Sequence, residues 1–100
     1  MLHTVNKSPF ETSSLETCLG LAKPGSDILL IEDGVYAATA GTTVSAMVEQ
    51  TMESSSVFAL APDLKARGLD PDQVIAGIQL VSYEGFVKLS VTNETVQCWL

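Results

Sequence analysis

The chain has 100 residues, of which 46% are hydrophobic and 17% charged, with five basic and twelve acidic side chains and a net charge of −7. That length implies one domain, residues 1–100. The scattered basic residues on an acidic chain exclude a direct grip on nucleic acid, which needs concentrated positive charge, and argue against an anionic membrane surface. A chain this short buries only about two-thirds of the surface its unfolded form exposes, so so much apolar material implies that partner chains cover part of it.

The opening MLHTVNKSPF has neither a long apolar core nor a small-residue cleavage site, so no export signal is expected there. LHTV (Leu2 to Val5) predicts a first strand, and NKSPFETS a loop broken by Pro9. Leu15, Cys18, Leu19 and Ala22 fall at i, i+3, i+4 and i+7, the spacing of one buried stripe on a helix over about Ser13 to Ala22. KPGSD then makes a turn. Ile28 to Ile31 form an uninterrupted apolar run, which suits a strand buried on both faces. EDG follows as a turn and VYAATAG as a short helix or irregular stretch. Val44, Met47, Val48 and Met52 predict another helical face, and SVFAL a third strand.

APDLKARG predicts a short helix stopped by Gly68. In DPDQVIAG, Asp70, Pro71 and Gln73 supply helix-start chemistry. IQLVS predicts a fourth strand. Tyr83, Phe86, Val87 and Val91 form a further helical stripe between Ser82 as cap and Asn93 as stop, and TVQCWL predicts the fifth strand. Strand and helix alternate to the end, which predicts a three-layer α/β/α fold with a mainly parallel, roughly five-stranded sheet. No window approaches a bilayer-spanning length.

In such sheets, sites collect beyond the carboxyl ends of the strands. Four segments qualify: NKSPF, EDGVYA, APDLKARG and SYEGF. None carries a phosphate-binding glycine loop, which weakens the case for a small-ligand binder built on these turns. Glu32 and Asp33 offer adjacent carboxylates for a cation or for acid–base work, but neighbouring side chains diverge and Asp-Gly is ordinary turn chemistry. His3 inside a strand reads as a hydrogen-bonded structural group, and Lys7 as a solvated lysine. Two cysteines and one histidine at these spacings make no recognisable metal site.

The cysteines carry the remaining chemistry. A sulfur-carrying thiol needs exposure and a positive neighbour. A helical wheel puts Cys18 on the flank of the buried stripe, where it reads either as packing or as a thiol at a helix edge. Cys98, between Gln97 and Trp99 on the terminal strand, reads as structural.

The segments LHTVNKSPF, ILLIEDGVYAA, APDLKARG, YEGFVKL and TVQCWL, in this order and spacing, resemble the DsrH/TusB family along essentially the whole chain, with the DsrH branch nearer. The resemblance implies a small α/β subunit of a cytoplasmic, hetero-hexameric sulfurtransferase. Its partners would be DsrE/TusD-like and DsrF/TusC-like subunits, and its sulfur acceptor a DsrC/TusE-like protein. Such complexes relay persulfide sulfur between cysteines, for oxidation of stored sulfur in the Dsr branch and for tRNA wobble-uridine 2-thiolation in the Tus branch. The main active cysteine belongs to the DsrE/TusD-type subunit. DsrH-type chains carry a cysteine in the first helix, and Cys18 matches that position. The resemblance therefore implies a persulfide carrier or partner-contact residue there, against the alternative of a non-catalytic structural subunit with Cys18 inert. Persulfide exchange requires no metal or organic cofactor.

Overall fold

The computed structural model describes residues 1–10 and 13–99. Glu11 and Thr12 of the expected loop, and Leu100 at the end of the expected fifth strand, lie outside the described residues. Five strands, β1 (Leu2–Val5), β2 (Asp27–Leu30), β3 (Ser56–Leu60), β4 (Gln79–Val81) and β5 (Val96–Trp99), form one sheet in the order β4-β3-β2-β1-β5. All four pairings are parallel. Helices α1 (Ser14–Leu21), α2 (Ser45–Thr51), α3 (Ala61–Ala66) and α4 (Tyr83–Thr92) make the crossovers. The expected α/β/α fold is thus present, with helices on both faces of a fully parallel sheet.

The strand order explains which face each helix takes. From β1 to β4 the chain steps in one direction across the sheet, so right-handed crossovers keep their helices on one face. The connection from β4 to β5 returns across the whole sheet and takes the other face. There the Asn93 side-chain amide donates to Asp27 Oδ2 at 3.1 Å and ties the end of α4 to the start of β2. On the first face Val5, Ile28, Leu30, Val57 and Ala59 form the core with Leu15, Cys18, Val35, Val48 and Leu64. On the second, Leu2, Leu29 and Leu60 are buried. β2 is apolar without alternation because it is covered on both sides.

Two elements differ from expectation. The stretch after β2 is a seven-residue 3-10 helix, Glu32–Ala38, whose Gly34, Val35, Ala37 and Ala38 are buried. The helix-start chemistry at Asp70 produces only a 3-10 turn, Pro71–Gln73, in which the Asp70 N–H donates to Gln73 Oε1 at 2.9 Å. It stops there because Val74 turns extended to bridge Thr39, and the Ile75 N–H donates to the Ala38 carbonyl at 2.8 Å. The α4 stripe also divides. Phe86 turns inward with Leu89, whereas Tyr83, Val87 and Val91 face solvent, with exposures of 60%, 61% and 78%.

Candidate functional site

A fully parallel sheet delivers the loops after β1 to β4 to one edge, and three of the four segments named from the sequence, NKSPF, EDGVYA and APDLKARG, meet there, whereas SYEGF opens α4 after the edge strand β4. The contact that closes this edge is backbone on backbone. At Gly34 an added methyl would overlap the Val5 carbonyl oxygen, so only glycine lets the 3-10 helix lie against the end of β1. The helix begins at Glu32 with φ of 49°, a left-handed conformation that strains a residue with a side chain. Its N–H donates to Asp63 Oδ2 at 2.7 Å, which offsets part of that cost and joins β2 to α3.

The carboxylates singled out from the sequence belong to this joint. Arg67 Nε donates to Asp33 Oδ1 at 2.9 Å, and Arg67 Nη1 to the Asp63 carbonyl at 3.2 Å. Asp33 therefore holds an arginine from α3's end, and Glu32 contributes its backbone N–H, both from the first turn of the 3-10 helix that stands where a simple turn was expected. A cavity of about 350 Å³ opens beside them between Ser8, Phe10, Asp33 and Tyr36. Lys7 is exposed, in keeping with a solvated lysine. Among the described residues no group of three or more His, Cys, Asp or Glu is arranged to hold a metal ion.

Cys18 lies away from that edge, on α1. Its exposure is 0%, and burial pushes its thiol up to about 11. The wheel placed it on the flank of α1's stripe; the structure places it inside the core. α1 lies against β1 and also against β5, and Trp99 of β5 packs on the same core cluster as Cys18, so the flank is covered too. Cys18 is a neutral thiol at physiological pH in this arrangement, without the exposure that nucleophilic attack requires.

Cys98 is the reverse. Read from sequence as structural, it is solvent-exposed on the edge strand β5, beside Thr4 of β1. A terminal apolar-looking strand gives no local sign that one of its faces is bare. His3, at 5% exposure, is hydrogen-bonded as expected: Trp99 Nε1 donates to its Nδ1 at 3.1 Å. Burial, and then the positive Met1 amino group, hold its pKa below 6.5.

The remaining conspicuous feature is the ridge of Tyr83, Val87 and Val91 along α4, on the sheet face where Val96 is also exposed at 42%. Apolar side chains aligned at i, i+4 and i+8 make one continuous apolar stripe along the outside of the helix.

The family model described as "DsrH like protein" matches residues 7–96. The chain belongs to the DsrH-like family. Among the relatives it resembles, Protein TusB of Photorhabdus laumondii is 38% identical over 100 residues, covering 99% of this chain and all of that protein. Protein TusB of Escherichia coli is 36% identical over 99 residues, with the same coverage. Two solved structures share the fold. The ychN protein from E. coli superposes with a TM-score of 0.83 at 18% identity, over 97% of each chain. MTH1491 from Methanobacterium thermoautotrophicum, a protein of unknown function, gives 0.79 at 16% over 97% and 95%. Family membership makes this chain a sulfur-relay protein, one that works in a complex with partner subunits. No helix among the described residues of this DsrH-like chain is long and apolar enough to cross a membrane.

Proposed function

We propose that this chain is a framework subunit of a cytoplasmic, hetero-oligomeric sulfurtransferase. DsrE/TusD-like and DsrF/TusC-like subunits are its partners, and a DsrC/TusE-like protein accepts the sulfur. The observation that carries this reading is the state of Cys18: fully buried, with its thiol pushed up to about 11. Persulfide exchange depends on thiolate fraction and access, and Cys18 has neither at rest. The sulfur-bearing cysteine then belongs to the DsrE/TusD-like partner, and this chain contributes the α4 ridge as packing surface. The TusB relatives support service in tRNA wobble-uridine 2-thiolation.

A second reading has its own support. Cys18 stands in the first helix, where the DsrH-type pattern has a cysteine, and this favours a persulfide carrier in oxidative sulfur metabolism. It requires α1 to part from β5 so that a donor reaches the sulfur.

Intact mass of the assembled complex after incubation with a persulfide donor separates the two. Each sulfur atom taken up adds about 32 Da. The framework reading expects this gain on the DsrE/TusD-like partner and none at Cys18. A gain on this chain that survives Cys98→Ser and disappears in Cys18→Ala assigns the carrier role to Cys18 and overturns the framework reading.

A further inference from the structure

We infer that the C-terminal strand β5 is a proton-sensitive strap, whose backbone ladder to β1 is reinforced by the Trp99–His3 hydrogen bond and which opens more readily when His3 takes up a proton. β5 is an edge strand. It pairs with β1 alone, none of its residues is fully buried, and Trp99 is the side chain that packs it onto the core cluster. The side-chain tie is the 3.1 Å bond from Trp99 Nε1 to His3 Nδ1, joining residues 96 positions apart.

Its chemistry allows one protonation state only. An indole N–H is a donor and never an acceptor, so Nδ1 must offer its lone pair and the imidazole must be neutral, with its proton on Nε2. A second proton would occupy Nδ1 and leave two N–H groups facing each other. Apart from the tilted Trp99 ring, whose centroid lies 6.2 Å away, the surroundings offer the resulting imidazolium no counter-charge. His3 forms part of the wall of a cavity of about 480 Å³ beyond the amino end of the strand, which gives solvent a route to the ring. The charged groups facing this cavity are the Met1 amino group and Lys23, from the α1–β2 loop, both positive. From α1 the neighbour is Leu21; across the sheet His3 pairs with Ile28 of β2 and Gln97 of β5, none of them titratable. With no carboxylate among these neighbours to stabilise the charge, protonation breaks the bond between the rings. Opening bares the outer edge of β1 and the part of the core under Trp99, the side on which α1 also rests.

The sign follows from linkage. His3 titrates below 6.5 in the folded chain and near 6.5 when unfolded. Its contribution to β5 docking is complete above that value and is lost as pH falls below it.

Trp99 is the single tryptophan of the chain, so its fluorescence reports the strap directly. On the full chain, titration from pH 7.5 to 5 should red-shift Trp99 emission with a midpoint below 6.5. Amide exchange at Val96–Trp99, corrected for its intrinsic pH dependence, should accelerate on the order of tenfold relative to β2, the factor one lost hydrogen bond gives. His3→Asn keeps an acceptor oxygen but does not titrate, so both changes should vanish in it. Persistence of the transition in that variant, or unchanged β5 exchange in the wild type, overturns the inference. If His3→Asn does not fold, NMR titration of the wild type decides: the His3 ring and Trp99 indole resonances must move together, and separate midpoints overturn it.

Discussion

On one face of the sheet, Ile28, Leu30, Val57 and Ala59 lie beneath α1, α2, α3 and a buried 3-10 helix, and the cluster takes in Cys18. On the other, α4 crosses alone. It buries none of its own residues and leaves Tyr83, Val87 and Val91 in solvent. Both faces draw on the same apolar composition. They differ in how much covering the chain supplies: the first face closes within one subunit, and the second presents apolar side chains outward. A sulfur-relay subunit with partners needs both conditions, an interior rigid enough to hold its loops at the carboxyl edge and an exterior face for neighbouring subunits.

The contrast breaks most directly at a matched pair of truncations. Ile28→Ala, in the closed core, should cost about 2–5 kcal/mol, and Val91→Ala, on the ridge, no more than about 0.5 kcal/mol, both read by chemical denaturation of the isolated chain. Equal costs would mean that α4's outer surface is as much core as the first face.

Cys18 and Cys98 sharpen the comparison at the level of single thiols. Cys18→Ala should cost about 1–2 kcal/mol, the loss of a small, well-packed hydrophobe. In the native chain a maleimide should modify Cys98 quickly and Cys18 only on unfolding. The raised thiol adds a pH signature. The folded chain keeps its Cys18 proton up to about 11 while the unfolded chain releases it near 9, so stability should decline as pH climbs through that interval. Cys18→Ala should lack this contribution. Rapid native labelling at residue 18, with no such alkaline contribution, would remove the packing argument on which the framework reading stands.

Much of the fold was legible because its signals are local. Five apolar runs separated by Gly, Pro and charged turns give five strands, and the unbroken run Ile28 to Ile31 announced a strand buried on both sides. The carboxyl-edge segments followed from the parallel topology. What escaped depends on residues far apart in sequence. Nothing near Cys18 shows that β5 covers the flank of α1. The His3–Trp99 bond joins the two ends of the chain, so His3 could be expected to have a partner but not a named one. The 3-10 helix after β2 rests on Gly34 lying against Val5, a contact with no periodicity to betray it. In α4, apolar residues occupy two sectors, Phe86 with Leu89 and Tyr83 with Val87 and Val91. Periodicity establishes the helix but does not choose which sector meets the sheet.

That ambiguity in α4 leads to the test with the smallest effect on the isolated chain. Val87 is central in the ridge and 61% exposed, one residue before Lys88, whose ammonium lies 4.0 Å from Glu84 across an exposed turn. Exposed pairs of this kind contribute little, so the helix owes its place to Phe86, Leu89, the Ser82 cap and the Asn93–Asp27 tie. Val87→Lys disturbs none of them and should change the chain's stability by no more than about 0.5 kcal/mol. If the partner subunits dock on the ridge, as proposed, the same ammonium would have to leave water in the assembled complex. Desolvation without a counter-charge should weaken assembly on the order of tenfold or more, as measured by size-exclusion chromatography or sedimentation with the co-expressed subunits. Undiminished assembly would show that the partners dock elsewhere, and the ridge would then be apolar surface with no neighbour to meet.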